Sequence, residues 1–235
     1  MEGSEQRRGD SDRGKWIILA VFAGLAAIIV AAILIGRGGG DDDEEAPATA
    51  TSANGCREVE APAPKNASFD AAGEVLKPGE TATAVVETSC GTFEIALDTK
   101  RAPKTANSFA FLSEEGFYDG LTFHRIVPGF VIQGGDPTGS GSGGPGYTVD
   151  EKPPANLAYT KGIVAMAKSS AEPPGRSGSQ FFVVLGADAG LPPEYALVGK
   201  VEEGMDVVEQ IGKLGTPAEK PKQTVLVEEV SIERG

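Results

Sequence analysis

A charge-free apolar run stands near the amino terminus of this chain and limits the structures open to that segment. From Trp16 to Gly36 the sequence reads WIILAVFAGLAAIIVAAILIG. A helix of this length rises about 30 Å, which matches the hydrocarbon core of a bilayer. A cleaved signal peptide is the alternative, but its apolar stretch is shorter and a small-residue cleavage site follows it closely. The run therefore predicts an uncleaved transmembrane helix over residues 16–36.

The charges on either side of this run predict its orientation. A single arginine and the acidic stretch DDDEE follow it, whereas four basic residues precede it: Arg7, Arg8, Arg13 and Lys15. Basic residues next to a membrane span stay in the cytoplasm. We therefore expect residues 1–15 to be cytoplasmic, and the chain after the single-pass anchor to lie outside the cell membrane.

The segment that follows the apolar run has the composition of a linker. Residues 37–79 are rich in Ala, Pro, Thr, Gly and acidic side chains, with almost no aromatic or β-branched periodicity. Such a segment buries too little apolar surface to offset the entropy lost on ordering. It predicts a disordered extracytoplasmic tether.

The chain has two cysteines, Cys56 and Cys90, and both fall on the predicted outer side. An even pair in an oxidising compartment is a disulfide candidate. A bridge would join the end of the tether to a turn between two strands. Two unpaired thiols are the alternative, because the distance between the cysteines is invisible in a sequence.

Charge and composition exclude several classes of function. A net charge of -13 is unsuited to neutralising phosphates, so no nucleic-acid partner is expected. One histidine and two distant cysteines do not supply a metal centre. The glycine-rich stretch Gly134–Gly146 lacks the lysine and the helix of a phosphate-binding loop, and it predicts an irregular surface loop. We expect neither a metal nor a cofactor.

Residues 80–235 have the pattern of a mainly β domain. Short alternating or apolar runs such as TATAVVET, TFEIALD, GIVAMA and QFFVVL are separated by Gly and Pro. Two helices are predicted, one over APKTANSFAFLSEEG and one over GMDVVEQIGKL. Periodicity alone leaves an antiparallel barrel and a sandwich open. Arg125 stands within an apolar strand, where an unpaired guanidinium is costly unless it faces a cleft or a partner.

Several ordered blocks of this domain resemble the cyclophilins. The blocks are APKTANSF, GFYDGLTF, FHRIVPGFVIQGGDP, GIVAMA, SGSQFFVVL and LVGKVEEGMDVV, and the similarity runs from about residue 82 to residue 232. The resemblance implies a closed eight-stranded antiparallel β-barrel capped by two α-helices. It also implies peptidyl-prolyl cis-trans isomerase activity, which needs no nucleophile because no bond is broken.

The resemblance also implies roles for individual residues. The catalytic set is Arg125, Phe130 and Gln133, with Arg125 as the working cation. The substrate-binding set begins with the proline pocket, where Phe130 is joined by Met166, Phe182 and Leu191. Ala167 and Gln180 line the peptide groove. Tyr195 takes the place of the family's pocket histidine, and His124 lies beside the groove. Lys168 stands where short cyclophilins commonly have asparagine, and Gly190 falls near a tryptophan position that matters for cyclosporin.

Together these features predict a membrane-anchored bacterial cyclophilin. Its substrates would be proline-containing polypeptides outside the cytoplasm, whose folding it would assist, and its catalytic domain would be monomeric. A non-catalytic chaperone or adaptor that grips proline segments is the alternative. The intact set of Arg125, Phe130 and Gln133 favours the enzyme, because a binding module does not need the cation.

Overall fold

A computed structural model describes residues 55–235 of the chain. Two helices occur in this range, α1 (Pro103–Glu114) and α2 (Met205–Gly212). The strands found there are β1 (Ala82–Thr88), β2 (Gly91–Leu97), β3 (Arg125–Val127), β4 (Val131–Gly134), β5 (Val149–Asp150), β6 (Ile163–Met166), β7 (Arg176–Ser177), β8 (Phe181–Val184), β9 (Leu197–Glu203) and β10 (Val227–Arg234).

Eight strands form one antiparallel sheet, in the order β10-β1-β2-β9-β6-β8-β4-β3, and β5 pairs separately with β7. The predicted mainly β domain with an eight-stranded sheet and two helices is therefore confirmed. Strand pairing does not close this sheet, because β3 and β10 are its edges. Backbone hydrogen bonds cross from the segment before β3 to the start of β10: Phe123 N–H donates to the Val225 carbonyl, and Val227 N–H donates to that of Leu121. Closure into a barrel stays a prediction.

Helix α1 forms where the sequence predicts it. Pro103 occupies the first turn, where its missing N–H needs no partner. The buried face includes Ala106, Phe109 and Leu112, which are fully buried against the sheet. The chain leaves the helix through Gly116, whose φ of 62° lies in the left-handed region that glycine adopts without strain.

Side-chain alternation sorts the strand residues into two layers. In β4, β6 and β8, one set of side chains belongs to the main core, including Ile132, Met166 and Phe181. Neighbours one residue away belong to a second, smaller cluster, including Ala165 and Phe182. The candidate site described below lies on the side of this second cluster.

Residues 55–79 contain neither helix nor strand, yet they pack against the domain. Leu76 is buried, and the side chain of Asn107 on α1 accepts hydrogen bonds from the N–H groups of Val75 and Leu76 at 2.8 and 2.9 Å. The ring of Phe69 meets that of Phe111 edge to face at 5.3 Å. The expectation of a disordered tether is wrong for this stretch, because a few long-range contacts order it despite its linker-like composition.

Cys56 and Cys90 form a disulfide bond, which confirms that prediction. The bond joins the start of the packed segment to the turn between β1 and β2, across a sequence separation of 34 residues. Both cysteines are buried. A loop of this length restricts the unfolded chain enough to stabilise the fold by about 3–4 kcal/mol.

The predicted transmembrane helix over residues 16–36 lies outside the described residues, as do the predicted cytoplasmic segment before it and the first part of the predicted tether. Within residues 55–235, no helix is long and apolar enough to cross a membrane.

Candidate active site

Seven of the residues predicted for the site line one open pocket. The pocket has a volume of about 200 Å³. Its walls come from β3, β4, β8 and the loops beside β6 and β9, and the lining residues are Arg125, Phe130, Val131, Gln133, Ala167, Lys168, Phe182, Leu191 and Tyr195. The sheet thus brings together residues that lie up to 70 positions apart in sequence.

Aromatic rings build the apolar wall of this pocket. The rings of Phe182 and Tyr195 meet at 85° with centroids 5.5 Å apart, and the ring of Tyr159 meets that of Tyr195 at 88° and 5.8 Å. The Tyr159 hydroxyl donates to the Tyr195 carbonyl at 2.6 Å and accepts from its N–H at 2.9 Å. Burial raises the pKa of Tyr159 to about 12, so this anchor stays protonated. The pocket wall is consequently held in place by packing and hydrogen bonds.

Arg125 stands at the polar side of the pocket, paired with Gln133 across β3 and β4. Its Nη1 donates to Oε1 of Gln133 at 3.2 Å, and Nε2 of Gln133 donates to Oε1 of Gln180 at 3.0 Å. Gln180 in turn donates to the carbonyl of Gly143 at 2.9 Å. This chain of hydrogen bonds fixes both amides and links the arginine to the glycine-rich loop.

A second cavity adjoins the pocket and extends it into a groove. Its volume is about 900 Å³, and it shares Gln133, Ala167 and Lys168 with the pocket. Residues 141–148, which include the end of the glycine-rich stretch, supply one wall, and residues 178–180 supply part of the other. The predicted surface loop therefore borders the groove, where an extended peptide has room to lie.

Met166 does not line the pocket, which corrects its predicted place in the proline site. It is 1% exposed and belongs to the main core. Met166 and Ala167 are neighbours in an extended segment, so their side chains point to opposite faces and only Ala167 reaches the groove. Val131, which sequence reasoning missed, lines the pocket instead. It lies two residues before Gln133 on β4, so alternation along that strand was the available signal.

Two charged residues near the pocket were also missing from the predicted site. The side chain of Lys168 is only 6% exposed. Its ammonium lies 5.6 Å from the centre of the Tyr195 ring and 3.4 Å from a carboxylate oxygen of Glu194. Glu219 accepts a hydrogen bond from Nε of Arg125 at 2.7 Å. It lies 94 residues away in sequence, so no local pattern could have indicated the contact.

His124 lies away from the pocket, which corrects its predicted place beside the groove. It precedes Arg125 in an extended segment and faces another cavity of about 490 Å³ with Asp136. The side chain is buried, and neither ring nitrogen has a hydrogen-bond partner among residues 55–235. Burial lowers the pKa of His124, although the Asp136 carboxylate opposes this effect.

This burial predicts a pH dependence of stability. The unfolded chain takes up a proton on His124 near its ordinary pKa, whereas the folded chain keeps the imidazole neutral to a lower pH. We therefore expect the free energy of unfolding to fall as the pH drops from about 7 to about 5. Urea unfolding of the wild type and of His124→Gln measures the effect, since the chain has one histidine. Equal losses of stability in both chains would show that His124 does not titrate in this way.

Among the described residues that line it, the site offers a cation and an apolar pocket but no paired nucleophile and base. Within the described part of the chain, no group of three or more His, Cys, Asp or Glu side chains could hold a metal ion. A guanidinium fixed at the rim of an apolar pocket can stabilise redistributed charge in a bound amide. The adjoining groove can hold the chain on which that amide lies.

Comparison with known proteins agrees with this geometry. Residues 83–232 match the family model described as cyclophilin type peptidyl-prolyl cis-trans isomerase/CLD. Peptidyl-prolyl cis-trans isomerase A of Mycobacterium tuberculosis is 38% identical over 174 residues, which cover 66% of this chain and 94% of that protein. Peptidyl-prolyl cis-trans isomerase-like 1 of Neurospora crassa is 38% identical over 154 residues, which cover 63% and 93% of the two chains.

A solved structure shows the same architecture. The Cryptosporidium parvum cyclophilin type peptidyl-prolyl cis-trans isomerase, crystallised in the presence of the dipeptide Ala-Pro, aligns with a TM-score of 0.61 at 31% identity. The alignment covers 65% of this chain and 99% of that one. The family match, the relatives and the fold agree, and the chain belongs to the cyclophilin-type peptidyl-prolyl cis-trans isomerases.

Proposed function

We propose that this isomerase acts at the pocket beside Arg125. The prolyl ring of the substrate sits against Phe130, Phe182 and Leu191, and the flanking peptide runs along the adjoining groove. The observation that carries this proposal is the fixed guanidinium of Arg125 at the rim of an apolar pocket of about 200 Å³. The crystal structure obtained with Ala-Pro, of a relative with the same fold, supports a proline-containing substrate.

The chemistry follows from the peptide bond. Rotation about an Xaa-Pro bond faces an energy barrier of about 18–20 kcal/mol, because the amide has partial double-bond character. In the twisted state that character is lost, and the nitrogen regains a lone pair. A guanidinium N–H directed at the prolyl amide is favourable for this state and less so for the planar ground state. Arg125 thereby lowers the barrier without any covalent step.

The test is a protease-coupled isomerisation assay on the full chain with an Xaa-Pro peptide. The wild type should convert the cis peptide much faster than the uncatalysed process, which takes tens to hundreds of seconds. The acceleration should depend on the Arg125 guanidinium. A chain that binds the peptide without accelerating rotation would instead be the non-catalytic adaptor.

We also propose that the catalytic domain is a monomer with a closed barrel, held outside the membrane of a bacterium. The basic flank before residues 16–36 and the Cys56–Cys90 disulfide support this location, since disulfides persist in oxidising compartments. The backbone hydrogen bonds between residues 120–123 and 225–227 support closure. In this place the enzyme would assist the folding of emerging chains, in which proline isomerisation is slow.

The location predicts the behaviour of a reporter fused to the carboxyl terminus. A phosphatase that is active only outside the cytoplasm should be active in this fusion, because the positive-inside rule puts the end of the chain there. Phosphatase activity in membrane fractions measures the result. As a control, the fusion should lose membrane association when residues 16–36 are deleted. Activity of a cytoplasm-restricted reporter at the same position would contradict the topology.

A further inference from the structure

Among residues 55–235, two side chains hold the guanidinium of Arg125. Its Nε donates to Oε2 of Glu219 at 2.7 Å, and its Nη1 donates to Oε1 of Gln133 at 3.2 Å. Arginine carries five N–H donors in a rigid plane. Two contacts at different nitrogens fix the orientation of that plane, and they leave three N–H groups for a substrate.

The backbone of Glu219 is tied to the same strand as the arginine. The Glu219 carbonyl accepts from the N–H of Ile126, the residue after Arg125, at 3.0 Å. The Glu219 N–H donates to the carbonyl of Thr216 at 2.9 Å, which closes the turn that presents the carboxylate. The contact therefore has support from both the side chain and the main chain.

This turn has an unusual conformation for a residue with a side chain. Within residues 55–235, Glu219 is the one non-glycine residue with positive φ, at 61°. A glycine would adopt this conformation without strain, whereas any residue with a Cβ is disfavoured there. Strain of this kind persists where the surrounding structure requires it, and it clusters at functional sites.

We propose that Glu219 is a positioning residue that presets the Arg125 guanidinium for catalysis. The inference rests on the proposed catalytic role of Arg125. By accepting from Nε, the carboxylate restricts rotation of the long arginine side chain and keeps the remaining donors available to the prolyl amide. Without it, Gln133 alone holds the guanidinium, and the cation samples orientations that do not serve the twisted state.

The expected effect lies in activity and not in stability. The side chain of Glu219 is 51% exposed and that of Arg125 is 33% exposed. Ion pairs at this exposure contribute little to folding because water screens them. A merely structural glutamate would show the opposite pattern, with stability lost and the turnover of the folded fraction kept.

The experiment compares Glu219→Gln and Glu219→Gly with the wild type, each as the full chain. We expect kcat to fall about tenfold in Glu219→Gly, within the range that a small misplacement of a catalytic group costs, and KM to change little. Glu219→Gln keeps an acceptor but loses the charge, so its kcat should lie between the two. The melting temperature of Glu219→Gly should be unchanged or higher, because glycine relieves the strain. Nuclear magnetic resonance should show faster solvent exchange of the Arg125 Nε–H in that variant.

Glu209→Gln is the matched control. It removes the charge of another ion-paired surface glutamate, which contacts Lys161 from helix α2, and it should keep wild-type kcat. If Arg125→Ala is inactive while Glu219→Gly has wild-type kcat, the positioning role is overturned and the proposed function stands. If Arg125→Ala is itself fully active, both are overturned.

Discussion

Replacing Arg125 by alanine is expected to lower kcat/KM about a hundredfold or more, which is the usual loss when a fixed donor to the transition state is removed. The variant should stay folded, because the side chain is one third exposed and its ion pair with Glu219 is open to solvent. The loss should fall mainly on kcat, since the guanidinium is proposed to act on the twisted amide and not on the bound ground state. The protease-coupled assay measures it, with circular dichroism as the check on folding.

Arg125→Lys is the matched variant for this prediction. Lysine keeps the positive charge but lacks the planar fork that meets Glu219 and Gln133 at separate nitrogens. Its kcat/KM should therefore lie between those of the wild type and Arg125→Ala. Full activity of the folded alanine variant would remove Arg125 from the mechanism.

Truncation of Phe182 to alanine is expected to cost both stability and activity. The side chain is 4% exposed and packs in the second cluster against Tyr159 and Tyr195. Removing a buried phenylalanine costs about 3–5 kcal/mol of the free energy of unfolding. It also removes part of the apolar wall for the prolyl ring, so KM should rise. Urea unfolding and steady-state kinetics measure the two effects separately.

Phe130→Ala separates the loss of substrate binding from the loss of stability. Phe130 is only partly buried and precedes β4 at the rim of the same pocket. Its loss should therefore weaken substrate binding with a smaller loss of stability than that of Phe182→Ala. If both variants fold and both retain wild-type kinetics, the ring of the prolyl residue does not bind at this wall.

Much of the fold could be predicted from sequence because its signals are local. Alternating runs mark strands, and Pro103 and Gly116 mark the two ends of helix α1. The packing of residues 55–79 could not be predicted in this way. The two cysteines indicate the disulfide that ties down the start of this segment, but the hydrogen bonds to Asn107 have no signature in its composition.

The site shows the same division between local and long-range signals. Resemblance placed Arg125, Phe130, Gln133, Phe182 and Tyr195 together, and the structure groups them in one pocket. The resemblance predicts Met166 and His124 at this site, but alternation along the extended chain turns the first into the main core and the second towards another cavity. The contact of Glu219 with Arg125 could not be predicted from the sequence, because only folding brings its turn to the arginine.

The disulfide has a consequence for recombinant production of this enzyme. A fragment trimmed to the family boundary near residue 83 would lack Cys56, so Cys90 would become an unpaired thiol in a normally buried position. It would also strip Val75 and Leu76 from the amide of Asn107 on helix α1. A fragment made for purification should therefore start before Cys56. It should be expressed in an oxidising host compartment, so that the purified enzyme keeps its disulfide bond.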